Sequence, residues 1–247
     1  MKHRNWLYLF AAGLIFLSLL IFTLHYLLFH DLHHILIYTI HDLAFLPIEV
    51  LLVTVVIHSL LERQVLQQKL DKLNMVIGTF YSGIGNELLR EFVRFDPNIS
   101  TIREELLVLG SWDAKSFKLH KKKAKGFLYT VSIHEMDLNS LREMLLRHED
   151  FLLRILENPV MLEHESFTDV LRSVFHLAEE LKHRSVLQNL PDSDLAHLKE
   201  DIRRAYSHMT ISWLDYMQYL QVEYPYLFSL AIRIDPFDEK IDVHIRE

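Results

Sequence analysis

Every position from Trp6 to Phe29 is apolar, aromatic or small except Ser18, Thr23 and His25. As a helix this run rises roughly 36 Å at about 1.5 Å per residue, enough to cross a ~30 Å hydrocarbon core with some tilt. A second apolar run, Leu43 to Leu61, is interrupted by Pro47, Glu49, Thr54 and His58. At roughly 28 Å it is just long enough to span. The pattern predicts a transmembrane hairpin over residues 1–61, with spans at 6–29 and 43–61 joined by a histidine-rich link at 30–42. A cleaved signal peptide fits less well, because signal cores cover only ~7–15 residues and no small-x-small site follows this one. A soluble pair of core helices is opposed by the length of the first run and by the near absence of charge across both.

Beyond the spans the pattern becomes amphipathic. Leu66, Leu70, Leu73, Ile77, Phe80 and Ile84 alternate spacings of four and three. That is the a/d seam of a coiled coil, and it predicts a helical stalk over 62–97. Two placements of the seam stay open: pairing between chains, which makes the protein a homo-oligomer, or packing inside one subunit. Gly83 and Gly85 weaken or bend the far end of this helix, and Asp96-Pro97-Asn98 stops it.

Residues 98–247 then predict a helical bundle facing the cytoplasm. Thr101 and Glu104 have capping-box spacing for a short helix through Val108. Further helices run from Asp137 to about Leu156, from Ser166 to about Arg184, from Ser193 to Val222 and from Tyr224 to Ile232. The longest carries a continuous stripe at Leu195, Leu198, Ile202, Tyr206, Met209, Trp213, Met217 and Leu220. Phe127 to Ile133 is apolar and β-branched enough for a short strand, with 240–245 as its partner. The fold class is therefore all-α, with at most a minor two-stranded β element.

Composition adds constraints. At 247 residues the chain accommodates the hairpin and one domain of ordinary size, and its six Gly and six Pro favour long helices. A net formal charge of −7 argues against general coating of nucleic acid. Lys2 and Arg4 precede the first span, Arg63, Lys69 and Lys72 follow the second, and the link carries neither residue type. The positive-inside rule then places both termini in the cytoplasm and the protein in the inner (cytoplasmic) membrane. The lack of Cys agrees with that orientation. Against the acidic background, Lys115, Lys118, Lys121, Lys122, Lys123 and Lys125 crowd one stretch. A solvated, intramolecularly paired face accounts for it. An acidic protein, anionic lipid or RNA is the partner it suits otherwise.

Candidate chemistry is sparse. Asp42 and Glu49 lie about two helical turns apart, and a charge at Glu49 in hydrocarbon costs at least ~2.5 kcal/mol. Together they suggest a cation or proton path in an oligomer, set against a protonated Glu49 held by hydrogen bonds. His30 and His34 have i, i+4 spacing that suits a shared metal, although interfacial histidines need no metal. Glu180-x-x-His183 has the spacing of di-iron bundle proteins, with Asp194-x-x-His197 a poorer second copy. Phe167, Val170, Leu171, Val174, Ala178 and Leu181 define the buried side of that helix, so a solvated polar face is expected for His176, Glu179, Glu180 and His183, and no metal. Arg203-x4-His208 resembles the motif of HEPN-type ribonucleases, which implies a helical, dimeric RNA-cleaving enzyme. No phosphate-cradling Gly loop, nucleophile elbow, Cys nucleophile or zinc-protease motif is present, and no cofactor is implied. The reading is a membrane-anchored interaction or scaffold protein in contact with the lipid bilayer. A conductor using Asp42 and Glu49 is the alternative, and a membrane-tethered ribonuclease the second.

Overall fold

The computed structural model describes residues 2–159 and 165–240, with side chains from 9–159 and 166–240. Among them the secondary structure is helical throughout, with no strand. The chain divides into two compact units, residues 1–66 and 67–247.

The first unit holds α1 (Lys2–Phe29) and most of α2 (Leu32–Phe80). The expected link at 30–42 shrinks to His30 and Asp31, because residues 32–42 already belong to α2. His30 has a positive φ of 52° and its N–H donates to the Tyr26 carbonyl, a left-handed helix end. Asp31 then caps α2 by accepting from the His34 N–H at 3.0 Å. Between Leu9 and Leu66 every side chain is exposed except the half-buried His25 and Ile35. The hydroxyls of Thr23, Thr39 and Ser59 donate to carbonyls of Leu19, Ile35 and Val56 in their own helices. Those bonds satisfy them without water.

The second unit has an ordinary buried core. Its centre is α9 (Asp192–Glu223), against which α3 (Asn86–Arg94), α5 (Ala114–Gly126), α8 (Glu165–Lys182) and α10 (Pro225–Arg233) pack. Between them lie α4 (Arg103–Leu106), α6 (Leu138–Arg147) and α7 (Glu149–Leu156). Of the long stripe, Leu198, Ile202, Tyr206, Met209, Trp213, Met217 and Leu220 are buried, and Leu195 is half-buried. Aspartates start two of the helices: Asp113 accepts from Ser116 N–H, and Asp137 from Asn139 and Ser140 N–H. Pro225 opens α10 at a first-turn position, where a missing N–H costs nothing.

Four expectations need correction. Leu73, Ile77, Phe80 and Ile84 of the seam are buried in the core of the second unit, which leaves only Leu66 and Leu70 exposed. A separate stalk over 62–97 therefore does not hold for its second half: of the two placements, packing inside one subunit applies there. Residues 127–133 do alternate buried and half-buried or exposed positions from Leu128 to Ile133, but they form no strand among the described residues: 128–132 have no regular secondary structure and Ile133 enters a turn. Ser132 N–H donates to the Phe95 carbonyl at 2.8 Å, and the partner expected at 240–245 lies outside the described residues except for Lys240. The Thr101 hydroxyl donates to the Asn98 carbonyl, so no capping box forms. The helix expected over 137–156 breaks at His148 into α6 and α7, whose ring Nδ1 is 3.0 Å from the Met144 carbonyl oxygen.

Candidate functional site

Two places in the second unit carry unusual chemistry. The first is the seam between α8 and α9. Cross-helix neighbours pair in opposite order along the two helices: Arg184 with Asp194, Glu180 with His197, His176 with Asp201, and Asp169 with His208. The helices are therefore antiparallel and in fixed register. His176 and Glu180 stand at i, i+4 on α8, and His197 and Asp201 at i, i+4 on α9, a spacing that puts each pair on one face. The four side chains meet across the seam.

Asp201 is 2 % exposed, and neither carboxylate oxygen has a hydrogen bond. Around it are His197 Nε2 at 3.3 Å, Arg204 Nη1 at 3.5 Å and His176 Nε2 at 3.6 Å. Ligand atoms of His176, His197 and Asp201 all lie within 4.8 Å of one another. Glu180 stands beside the group, with Oε2 3.7 Å from His197 Nε2 and Oε1 3.8 Å from His176 Nε2. Arg184 fixes Glu180 through Nη1–Oε2 at 2.6 Å and also pairs with Asp194. That guanidinium holds the Glu180 and Asp194 carboxyls below the usual carboxylate range.

The second place is a cavity of about 470 Å³ where the last turns of α2 face the end of α9 and α10. Beside it the α2 ladder widens into a single π-turn, Tyr81–Gly85, a deviation that is frequent at functional sites. Tyr81 donates to the Met209 carbonyl at 2.7 Å and packs between Trp213 and Tyr216, at ring distances of 5.1 and 5.5 Å. Burial pushes the Tyr81 hydroxyl above its ordinary range. The wall is apolar and aromatic, from Met75, Trp213, Tyr216, Leu220, Leu227 and Leu230. Gly78 makes room for it, since a Cβ there would meet the Tyr216 hydroxyl at 2.8 Å.

The sites expected from sequence fall elsewhere or apart. Arg203 forms a two-pronged pair with Glu200, and the His208 ring faces the Asp169 carbonyl at 3.3 Å, so the ribonuclease-like pair is not assembled into one centre. His30 precedes the helix that carries His34, so their i, i+4 spacing is not helical. The His30 ring neighbours Tyr26, whereas His34 neighbours His25 and Tyr38. Asp42 and Glu49 are exposed on α2. In the lysine run Lys121 pairs with Asp215 and Lys123 with Glu105, which also receives His120 at 2.8 Å. Lys115, Lys118, Lys122 and Lys125 are exposed. His183, the expected i+3 partner of Glu180, is 73 % exposed at its side chain and its ring faces the Glu179 carbonyl instead. Asp201 was not legible as a site residue. Its signal is the repeated His-x3-acid spacing on α8 and α9, which acquires meaning only once the register of the two helices is known.

Comparison with known proteins identifies relatives. The family described as "MJ1433, N-terminal helical domain" matches residues 2–61, and "Uncharacterized protein MJ1433, C-terminal helical domain" matches residues 69–233. A relative printed as "Uncharacterized protein MJ1433", from Methanocaldococcus jannaschii, is 44 % identical over 240 residues, covering 97 % of this chain and 96 % of its own length. No solved structure matches.

Proposed function

The chain belongs to the MJ1433 family, matched in both its N-terminal and its C-terminal helical domains, and from that premise we propose that it is a membrane-anchored helical interaction protein. Residues 1–61 span the cytoplasmic membrane twice, and both termini face the cytoplasm. The second unit is the water-facing part, and its cavity beside the π-turn receives an apolar group of a protein partner. One observation carries the anchoring: the side chains of residues 9–29 are apolar except Ser18, Thr23 and His25, those of 43–61 are apolar at all but a few positions, and nearly all of them are exposed. Soluble proteins rarely expose contiguous apolar patches beyond a few hundred Å², so hydrocarbon is the medium that suits this surface. Tyr226, Leu227 and Leu230 expose further apolar surface on α10, the last two of them lining the cavity. A role in binding is favoured over RNA cleavage because Arg203 and His208 each engage a different neighbour.

The test is fractionation of cells that express the full chain. The protein is expected to stay with membranes through high salt and alkaline carbonate, and to leave them only with detergent. Recovery of folded protein in the supernatant without detergent would overturn the reading. Protease added to the outer face is expected to leave both terminal tags intact, and cleavage of either tag would reverse the orientation.

A further inference from the structure

We infer that the α8–α9 seam is a binding site for one divalent transition-metal ion, held by His176, His197 and Asp201, with Glu180 as the fourth ligand. Nothing in the membrane reading is needed for this, since all four side chains belong to the second unit.

Asp201 is the first reason. A buried carboxylate whose two oxygens lack any hydrogen bond is costly, and such groups are ordinarily paired or bound to metal. The three nitrogens around Asp201 stand at 3.3–3.6 Å without forming a hydrogen bond to it. Arg204, one of the three, is nearly half exposed and offers only a distant charge.

The spacing itself is the second reason. Two ligands of one tetrahedral ion with bonds near 2.1 Å stand about 3.4 Å apart. His197 Nε2 stands 3.3 Å from Asp201 Oδ2 and His176 Nε2 stands 3.6 Å from Asp201 Oδ1, each near that edge but to a different oxygen, so the carboxylate either bridges toward both rings or turns to offer one oxygen. Both imidazoles are about half exposed, at 45 % and 52 %, so an ion reaches them from water and the rings are free to close the remaining gap.

The donor set gives the class of ion. Two imidazoles with two carboxylates and no sulfur suit zinc, iron, manganese or cobalt in the divalent state, and disfavour copper(I). Arg184 occupies one oxygen of Glu180 and leaves Oε1 on the His176 side, an outer-shell contact of the kind that orients metal ligands. An ion here joins α8 to α9 through four side chains, one turn apart in pairs.

The experiment uses the full-length chain in detergent, purified without a histidine tag and stripped of metal. It is titrated with Co²⁺ and with Zn²⁺, following heat and the visible absorption of Co²⁺. The expected result is uptake of one equivalent per chain, with the intense bands of tetrahedral Co²⁺ displaced by Zn²⁺. Losing a true ligand should cost more than the roughly 10- to 100-fold typical of removing an outer-shell partner. Asp201→Asn and the double variant His176→Ala/His197→Ala should therefore both abolish the bands, while His183→Ala and His208→Ala retain them. The double variant keeps the test decisive should Asp201→Asn fail to fold, because both rings are half exposed. No stoichiometric uptake by the folded wild-type chain, or uptake less than tenfold weaker in the double variant, overturns the proposal.

Discussion

The two units use the same apolar side chains in opposite ways. In residues 9–66 leucine, isoleucine, valine and phenylalanine are exposed, with the half-buried Ile35 as the exception. In residues 67–240 the same types form a core in which Phe80, Leu88, Leu89, Phe92, Val170 and Ile202 have no exposed surface. Burial inside protein stabilises the second unit, at roughly 25 cal/mol per Å² removed from water. That term is absent from the first unit taken by itself, whose apolar side chains are exposed. Mean composition cannot separate the cases. What separates them is whether apolar positions recur with a helical period or fill the whole circumference.

Deletion of core side chains tests this contrast with the largest effect. Phe80 is fully buried and meets Phe167 edge-on at 5.5 Å. Phe80→Ala is expected to destabilise the second unit by about 3–5 kcal/mol. Leu20, on α1, is 54 % exposed, and Leu20→Ala should change unfolding of the second unit by less than about 0.5 kcal/mol. Urea titration in detergent, followed by tryptophan fluorescence, reads both. The tryptophans Trp112 and Trp213 report on the second unit, where both are buried. Equal losses in the two variants would erase the distinction between the units.

That distinction was partly visible in the sequence. The stripe on α9 was legible because a 3.6-residue period leaves one reading for each position, and seven of its eight residues are buried. The seam through Leu73, Ile77, Phe80 and Ile84 had a legible period but not a legible partner. A helix that packs on its own subunit and one that packs on a second copy present the same spacing. The segment 127–133 has a real alternation, with Tyr129, Val131 and Ile133 buried. Alternation specifies an extended backbone, whereas a strand also needs a neighbour in register, and that is long-range information. The same limit hid the His176–Asp201 contact: in the sequence His176 and Glu180 read as a solvated face and Asp201 goes unmarked, because only the antiparallel register brings the two helices' His and acid pairs together. The solvated polar face expected for α8 holds for His183 but fails for Glu180, which Arg184 and His197 engage.

A pH titration sharpens the comparison inside the second unit, with an intermediate effect. Asp235 is 1 % exposed and accepts N–H bonds from Phe237 at 2.9 Å and Val108 at 3.2 Å. Burial outweighs both bonds and raises its pKa from 3.8 to about 7, with Asp238 adding to the rise and Arg90 opposing it. Between those values the folded state binds a proton that the unfolded state releases. The contribution is fully present below pH 4 and is lost as pH rises toward 7. The slope approaches about 1.4 kcal/mol per pH unit at its steepest. Asn cannot accept both N–H bonds, so Asp235→Asn is less stable overall. Its unfolding free energy should nevertheless lose that slope, and an unchanged slope would assign the pH dependence to other groups.

The lysine run gives the smallest expected effect and tests whether charge, unlike apolar surface, divides by location. Lys121 crosses from α5 to Asp215 on α9, with side chains 30 % and 45 % exposed. Lys115, Lys118, Lys122 and Lys125 point to solvent along the same helix. A partly exposed pair contributes roughly 0.2–1 kcal/mol and weakens as salt rises. Lys121→Ala should therefore lose a fraction of a kcal/mol at low salt, and almost nothing in about 1 M salt, where the Debye length is about 3 Å. The quadruple alanine variant of the four solvent-facing lysines should stay within about 0.5 kcal/mol of the parent at either salt concentration. A larger loss in the quadruple variant than in Lys121→Ala would mean that these four lysines hold the bundle together. In that event they would not be free to meet an acidic protein, anionic lipid or RNA, and the face would have to be read as internal.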